Sequence, residues 1–179
     1  MEIKVLSMDE ISSDLLKNFQ HYQEINKKWV YYDNEWKLEE ALEVRKWDEK
    51  KRVWVANYLR EQVERGGYLV VALEGNLLVG FACIDGELLE TTVKYVNLTM
   101  LFVDKEWKRK GVGKKLFQEI CKCAIKMKAE KLYISAVSSF ETVAFYFNMG
   151  CEDAKEVIED FVDTEQDRCM EYSLIKAMS

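Results

Sequence analysis

WKRKGVGKKL, residues 107–116, sets Gly111 and Gly113 one residue apart among five cations, Lys108, Arg109, Lys110, Lys114 and Lys115. The chain around it is acidic, with 26 Lys and Arg against 32 Asp and Glu and a formal net charge of −6. An apolar run, Leu101, Phe102 and Val103, precedes the stretch. Val112, Leu116, Phe117, Ile120, Ala124 and Met127 follow at helical spacing. A strand, a glycine turn and a helix start make an anion site. The first N–H groups of the helix lack intrahelical acceptors, and the helix dipole is positive there. Glycine lets the backbone approach a phosphate, and the cations add attraction. A diphosphate fits this description. The stretch is neither a P-loop, which needs four residues between its glycine and Gly-Lys, nor a dinucleotide fingerprint, which needs glycine where Leu116 stands. A plain strand-to-helix turn with solvated lysines is the competing explanation.

Outward from that turn the periodicity alternates between two and about 3.6. YLVVALEG and LLVGFACIDG predict strands joined at a Gly75-Asn76 hairpin turn. VKYVNLTMLFVD predicts a longer strand and KLYISAV another. Ser138 and Glu141 predict a capping box for a helix reaching Met149, with Gly150 as its C-terminal turn. EVIEDFV and CMEYSLIK predict closing strands. At the other end, MEIKVLS predicts a strand and SMDEISSDLLKNF a helix capped by Ser7. Residues 21–65 hold four of the five tryptophans, and Leu38, Ala41, Val44 and Trp47 recur three apart. That spacing predicts two or three helices, ending at Gly66-Gly67. The sum is a mixed α/β domain.

At 179 residues and 49% hydrophobic content the chain suits one domain, residues 1–179, with a sizeable core. Its acidity argues against a nucleic-acid surface. No apolar run approaches the ~18 residues of a membrane helix, and the N-terminus lacks a basic signal-peptide start, so the expected location is cytoplasmic. The five cysteines show no zinc-ligand spacing and are expected to be buried, reduced thiols, so no metal is expected. His21, the one histidine, is expected to be structural or solvent-facing.

The run LFVDKEWKRKGVGKKLFQEI resembles the acetyl-CoA-binding segment of the GNAT superfamily of N-acetyltransferases, Arg/Gln-x-x-Gly-x-Gly/Ala after an apolar strand end. Here it reads Lys108-x-x-Gly111-x-Gly113, with lysine for the usual Arg or Gln. AFYFNMGC resembles the family's Phe-Tyr-x-x-x-Gly-Phe segment, with Cys151 in place of the final Phe, and Gly80-Phe81 resembles its middle strand. The resemblance implies a GNAT-like α/β fold: a mixed, mostly antiparallel sheet with a splayed parallel strand pair, flanked by helices.

It also implies roles. Acetyl-CoA would be the co-substrate. Its pantetheine arm would run along Leu101, Phe102 and Val103, with KLYISAV as the splayed partner strand. Its pyrophosphate would sit on Lys108, Arg109, Lys110, Gly111, Val112, Gly113 and Lys114. Ser139 stands where an asparagine commonly contacts the cofactor. Tyr146 matches the tyrosine that donates a proton to the leaving sulfur. The family's glutamate positions hold Asn97 and Ile134, neither able to take a proton, so the alternatives are an amine that arrives deprotonated, loss of its proton through water, or Asp33, Glu35, Asp85 or Glu90 as base. The implied activity is N-acetylation of a small-molecule or peptide amine, with Tyr31, Tyr32 and Trp36 expected on the acceptor side. A CoA-binding regulatory module without useful turnover is the alternative. Family members are often homodimers. Neither nucleic acid nor membrane is an expected partner.

Overall fold

The computed structural model describes residues 1–175. β1 (Glu2–Leu6), β4 (Tyr68–Glu74), β5 (Leu77–Glu90), β6 (Lys94–Val103), β7 (Lys131–Ala136), β8 (Glu152–Asp153) and β9 (Arg168–Ser173) form one sheet in the order β1-β4-β5-β6-β7-β9-β8. All neighbours are antiparallel except β6 and β7. This is the expected mostly antiparallel sheet with one parallel pair. The hairpin of β4 and β5 turns at Gly75, whose φ of 60° is the left-handed geometry that a two-residue turn requires.

α2 (Val112–Lys126) and α3 (Phe140–Asn148) cover one face of the sheet. Val112, Leu116, Phe117, Ile120 and Ala124 pack there on Val70, Ala82, Val96, Leu132 and Ile134, all buried. α1 (Glu49–Glu64) covers the other face, where Val55, Ala56 and Leu59 meet Leu69, Val71, Phe81 and Cys83. The helix starts at Asp48, whose side chain accepts the Lys51 N–H at 2.8 Å. α3 starts one residue later than the sequence suggests. Ser139, not Ser138, accepts the Thr142 N–H at 3.1 Å, while the Ser138 carbonyl accepts the Trp29 N–H at 2.7 Å.

The largest correction concerns residues 22–46. They are not helical but form a separate antiparallel hairpin of β2 (Tyr22–Tyr32) and β3 (Glu35–Lys46). Asp33 and Asn34 make its turn at φ 53° and 62°. The pairing slips between Ile25 and Lys27, so Ala41 and Leu42 together oppose Asn26. This bulge turns the alternation of β3 into an apparent three-residue spacing. Leu38, Leu42 and Val44 are 40%, 91% and 49% exposed, so most of the supposed helical stripe faces solvent, while Trp47, one residue past β3, packs on the core.

Two smaller corrections follow from burial. Ser7 caps only a short 3-10 turn, Met8–Glu10, because Ile11 leaves it extended to enter the core. EVIEDFV is not a strand: it holds only a 3-10 turn, Glu159–Phe161, which plants Phe161 beside Tyr133 at 5.7 Å between ring centroids. β9 ends at Ser173, and Lys176, the end of the expected last strand, lies outside the described residues.

Candidate active site

The parallel pairing of β6 with β7 stops at Leu98 and Ile134. β6 runs on to Val103 paired only with β5, and β7 runs on through Ser135 and Ala136 paired only with β9. The strands therefore part into a fork. Residues 99–103 are half-buried, and among the described residues no strand on the β7 side satisfies their backbone donors and acceptors. Leu101, Phe102 and Val103 all lie on this open limb. Leu101 and Val103 pack toward α2, while Phe102 faces the α1 side, edge-on to Trp47 at 4.8 Å and to His21 at 5.0 Å.

Beyond β6 the chain reaches Gly111, which caps α2 in the left-handed region at φ 81°, where a Cβ would be strained. The Lys115 N–H bonds the Gly111 carbonyl at 3.3 Å. The N–H groups of Val112, Gly113 and Lys114 therefore have no acceptor within the helix. Gly113 has a packing reason of its own, because a Cβ there would lie 3.1 Å from the Phe145 ring. The cations divide in two. The Lys108 ammonium donates to the Tyr22 carbonyl, and its burial lowers its pKa. Arg109 bridges to Glu141 at 3.2 Å, and Lys110 lies over the Trp107 ring at 4.8 Å. Lys114 and Lys115 make no ion pair among the described residues. The first turn of α2 thus presents open N–H groups, two uncommitted ammonium groups and an unpaired strand edge. That set fits a pantetheine arm and a diphosphate.

Ser139 caps α3 and also accepts from the Gln23 amide at 3.1 Å, which leaves its own O–H to donate. Tyr146 is 6% exposed within the Phe117 and Phe145 rings, and burial, then Cys151, pushes its hydroxyl pKa well up. It stays a neutral phenol at working pH, the state that donates a hydrogen bond. Of the open base candidates, Asp33 and Glu35 sit at the hairpin turn, engaged by Lys37 at 3.6 and 3.5 Å. Ile134 is sealed at the base of the fork, 2% exposed.

The hairpin crosses the end of β7. Lys28 bridges to Ser139, and the hairpin encloses a cavity of about 540 Å³ with Val137, Ser138, Glu165 and Gln166. Tyr31 lines this cavity. Trp36 meets Tyr31 edge-on at 5.2 Å and stacks on Arg168 at 4.9 Å, while Tyr32 lies under Lys37. His21 is buried between Trp47 and Phe102, and burial holds its pKa down at about 4. The cysteine thiols behave as core groups, with burial pushing Cys83 and Cys121 up to about 12.

A sheet that opens between two parallel strands above a glycine-capped helix is an acetyltransferase architecture. The model of the GNAT acetyltransferase domain matches residues 37–161, well over half of the chain, which therefore belongs to that family. No curated protein sequence matches it. Among solved structures, a GNAT-family acetyltransferase from Staphylococcus aureus Mu50 is 18% identical, with 97% of this chain and 99% of that one covered and a TM-score of 0.60. A candidate streptothricin acetyltransferase from Bacillus anthracis str. Ames, in complex with acetyl coenzyme A, is 15% identical over 95% and 97%, with a TM-score of 0.60. The PaiA N-acetyltransferase from Thermoplasma acidophilum, in complex with coenzyme A, is 14% identical over 97% and 99%, with a TM-score of 0.59. At these identities the likeness is one of fold.

One acidic group escapes the sequence altogether. The Asp163 N–H donates to Ser135 Oγ at 3.1 Å, and Ser135 Oγ donates to Asp167 at 2.8 Å. Ser135 is the first residue of β7 past the fork, so a surface loop is anchored there from 28 residues away.

Proposed function

We propose that this single domain transfers an acetyl group from acetyl-CoA to a primary amine of a small molecule or peptide. The observation that carries the reading is the fork: an unpaired strand edge at residues 99–103 that leads directly into the open N–H groups of α2. The backbone of Leu101, Phe102 and Val103 would hold the pantetheine arm. Val112, Gly113, Lys114 and Lys115 would hold the pyrophosphate, with Lys108, Arg109 and Lys110 shaping the turn. Acetyl-CoA, when bound, supplies the thioester carbonyl that the amine attacks. A β6 N–H near Leu101 would donate to the carbonyl oxygen as charge grows there. The Tyr146 hydroxyl would donate to the departing sulfur.

The hairpin cavity, lined by Trp29, Tyr31, Ser138 and Ser139 together with the charged Glu43, Arg45 and Glu165, suits an acceptor that carries polar groups beside an apolar part. Among the described residues no helix is long and apolar enough to cross a membrane. The test is release of free CoA from acetyl-CoA across a panel of primary amines, read as thiol formation. Amine-dependent release supports the reading. Tight acetyl-CoA binding without release from any amine would favour the regulatory module instead.

A further inference from the structure

The α1 face of the fork carries a polar set that the cofactor reading leaves unused. Asn97 pairs with Tyr133 across β6 and β7, so Asn97, Tyr133 and Ser135 share one face of the sheet. Asn97 is 8% exposed, and its Oδ1 is buried without a donor. A buried acceptor left in that state is destabilising unless something supplies an N–H or O–H. Phe161 packs on Tyr133 from the same face, which brings the following loop, residues 162–167, over the fork. Of its two aspartates, Asp167 is committed, accepting from Ser135 at 2.8 Å and from Thr164 at 2.8 Å. The Asp163 carboxylate accepts no hydrogen bond and makes no ion pair among the described residues, although its own N–H is pinned to Ser135.

We infer that Asp163 and Asn97 bind the acceptor as a primary ammonium, and that Asp163 takes its proton before attack. The inference rests on the acetyltransferase reading and names the base at that site. Tyr146 belongs to the core on the α2 face, so acid and base stand on opposite faces of the fork. The proton balance is simple. The ammonium gives one N–H proton to the Asp163 carboxylate, which is partly desolvated but belongs to a residue that reaches the surface and so passes the proton to solvent. The free amine then forms the C–N bond as the C–S bond breaks. The sulfur leaves with a proton from Tyr146, which is restored by the second amine proton through solvent.

The electrostatics agree. Burial, then Asp167, holds the Asp163 carboxyl above its ordinary value, toward the range where a general base works best. The other groups facing this region are the Tyr58 phenol from α1, Asp85 from β5, and Cys169 on β9, which also feels Glu159. Lys51 of α1 is a cation on this side, its ammonium over the outer ring of the Trp54–Tyr58 stack at 4.2 Å, and the acids Asp85, Asp163 and Asp167 outnumber it, so the balance still favours a positive ligand. Tyr58, stacked on Trp54 at 5.6 Å, offers an aromatic surface for the stem of the amine.

The experiment compares wild type with Asp163→Asn and Asp167→Asn in the full chain. With the best amine, Asp163→Asn should lower kcat/KM by about 10²-fold at neutral pH. The KM for acetyl-CoA should hold, and the acid limb of the pH–rate profile should disappear. The loss should shrink above the pKa of the amine, where the acceptor arrives neutral. Asp167→Asn should keep the acid limb. A wild-type rate and an unchanged acid limb in Asp163→Asn would overturn the assignment. A second arm needs no turnover: benzylamine should shift the Asn97 side-chain amide and the Asp163 carboxyl resonances in wild type, with the Asn97 shift lost in Asp163→Asn. If these resonances stay fixed while acetyl-CoA still binds, the ammonium site is wrong and the cofactor reading survives. If no amine releases CoA but benzylamine still binds here, the acetyltransferase reading fails and the cation site stands.

Discussion

The fork and the hairpin are both β-structures flanking one opening, yet they are built by opposite means. The fork is assembled from local rules: period-two strands, a left-handed glycine cap and a 3.6-period apolar stripe on α2. The hairpin has little core of its own. Beyond its backbone ties to Ser138 and Ser139, its free end packs on one side chain of β9, the strand next to the sheet's far edge. Arg168 is 7% exposed and bonds Asp153 in a two-pronged pair at 2.7 and 2.8 Å. Its guanidinium lies 4.9–5.1 Å from the rings of Trp36, Trp29 and Phe147. The other end is fixed at Trp47 and His21 against Phe102. The contrast teaches that the fork can be written in local sequence, while the hairpin beside it hangs on tertiary contacts.

The sharpest break in that comparison removes chemistry from the fork and leaves its shape. Tyr146→Phe should lower kcat by about 10²-fold while the dissociation constant for acetyl-CoA stays within about twofold. Equal kcat in the two proteins, with chemistry limiting the rate, would make Tyr146 a packing residue. The matching break in the hairpin is Arg168→Ala. It removes three cation–π contacts and a two-pronged ion pair, and should destabilise the protein by about 2 kcal/mol. Acceptor KM should rise with little change in acetyl-CoA affinity, and protease should cut the hairpin first. Equal loss of cofactor binding would show that fork and hairpin are one cooperative unit.

A smaller effect tests the root of the hairpin. His21 has a folded pKa of about 4 against an ordinary 6.5, through burial and then Lys108 and Arg45. The unfolded chain therefore binds the extra proton between those values. The contribution of His21 is fully present above pH 6.5 and is lost as pH falls toward 4. Screening at a partly open site leaves on the order of 1–2 kcal/mol. Melting curves at pH 7 and pH 5 should show a smaller drop for His21→Phe than for wild type, and an identical drop would remove the histidine from the account.

How much was legible follows the same division. Gly111, the α2 stripe and the Phe145-Tyr146 segment are local patterns, and each stands where the sequence places it. Ser139 as the cap of α3 was missed by one residue, because Ser138 is equally good as a cap until Trp29 claims its carbonyl. The hairpin was misread because a single bulge at Ala41 and Leu42 mimics helical spacing. Two signals could have corrected it. Asp33-Asn34 is a suitable two-residue turn. About it, Lys27 and Lys28 mirror Glu40 and Glu39 as cross-strand pairs. Asp163 had no signal at all, since its significance comes from Ser135, 28 residues away, and from an amide on another strand.

The central claim is that acetyl-CoA lies in the fork, along β6 and on the first turn of α2. Backbone amide resonances followed during titration with acetyl-CoA test it most directly. The account predicts saturable shifts at residues 99–103 and at Val112, Gly113 and Lys114, with β1 and the hairpin turn at Asp33 and Asn34 unmoved. Shifts confined to the hairpin cavity, or none at residues 99–103 at saturation, would contradict it.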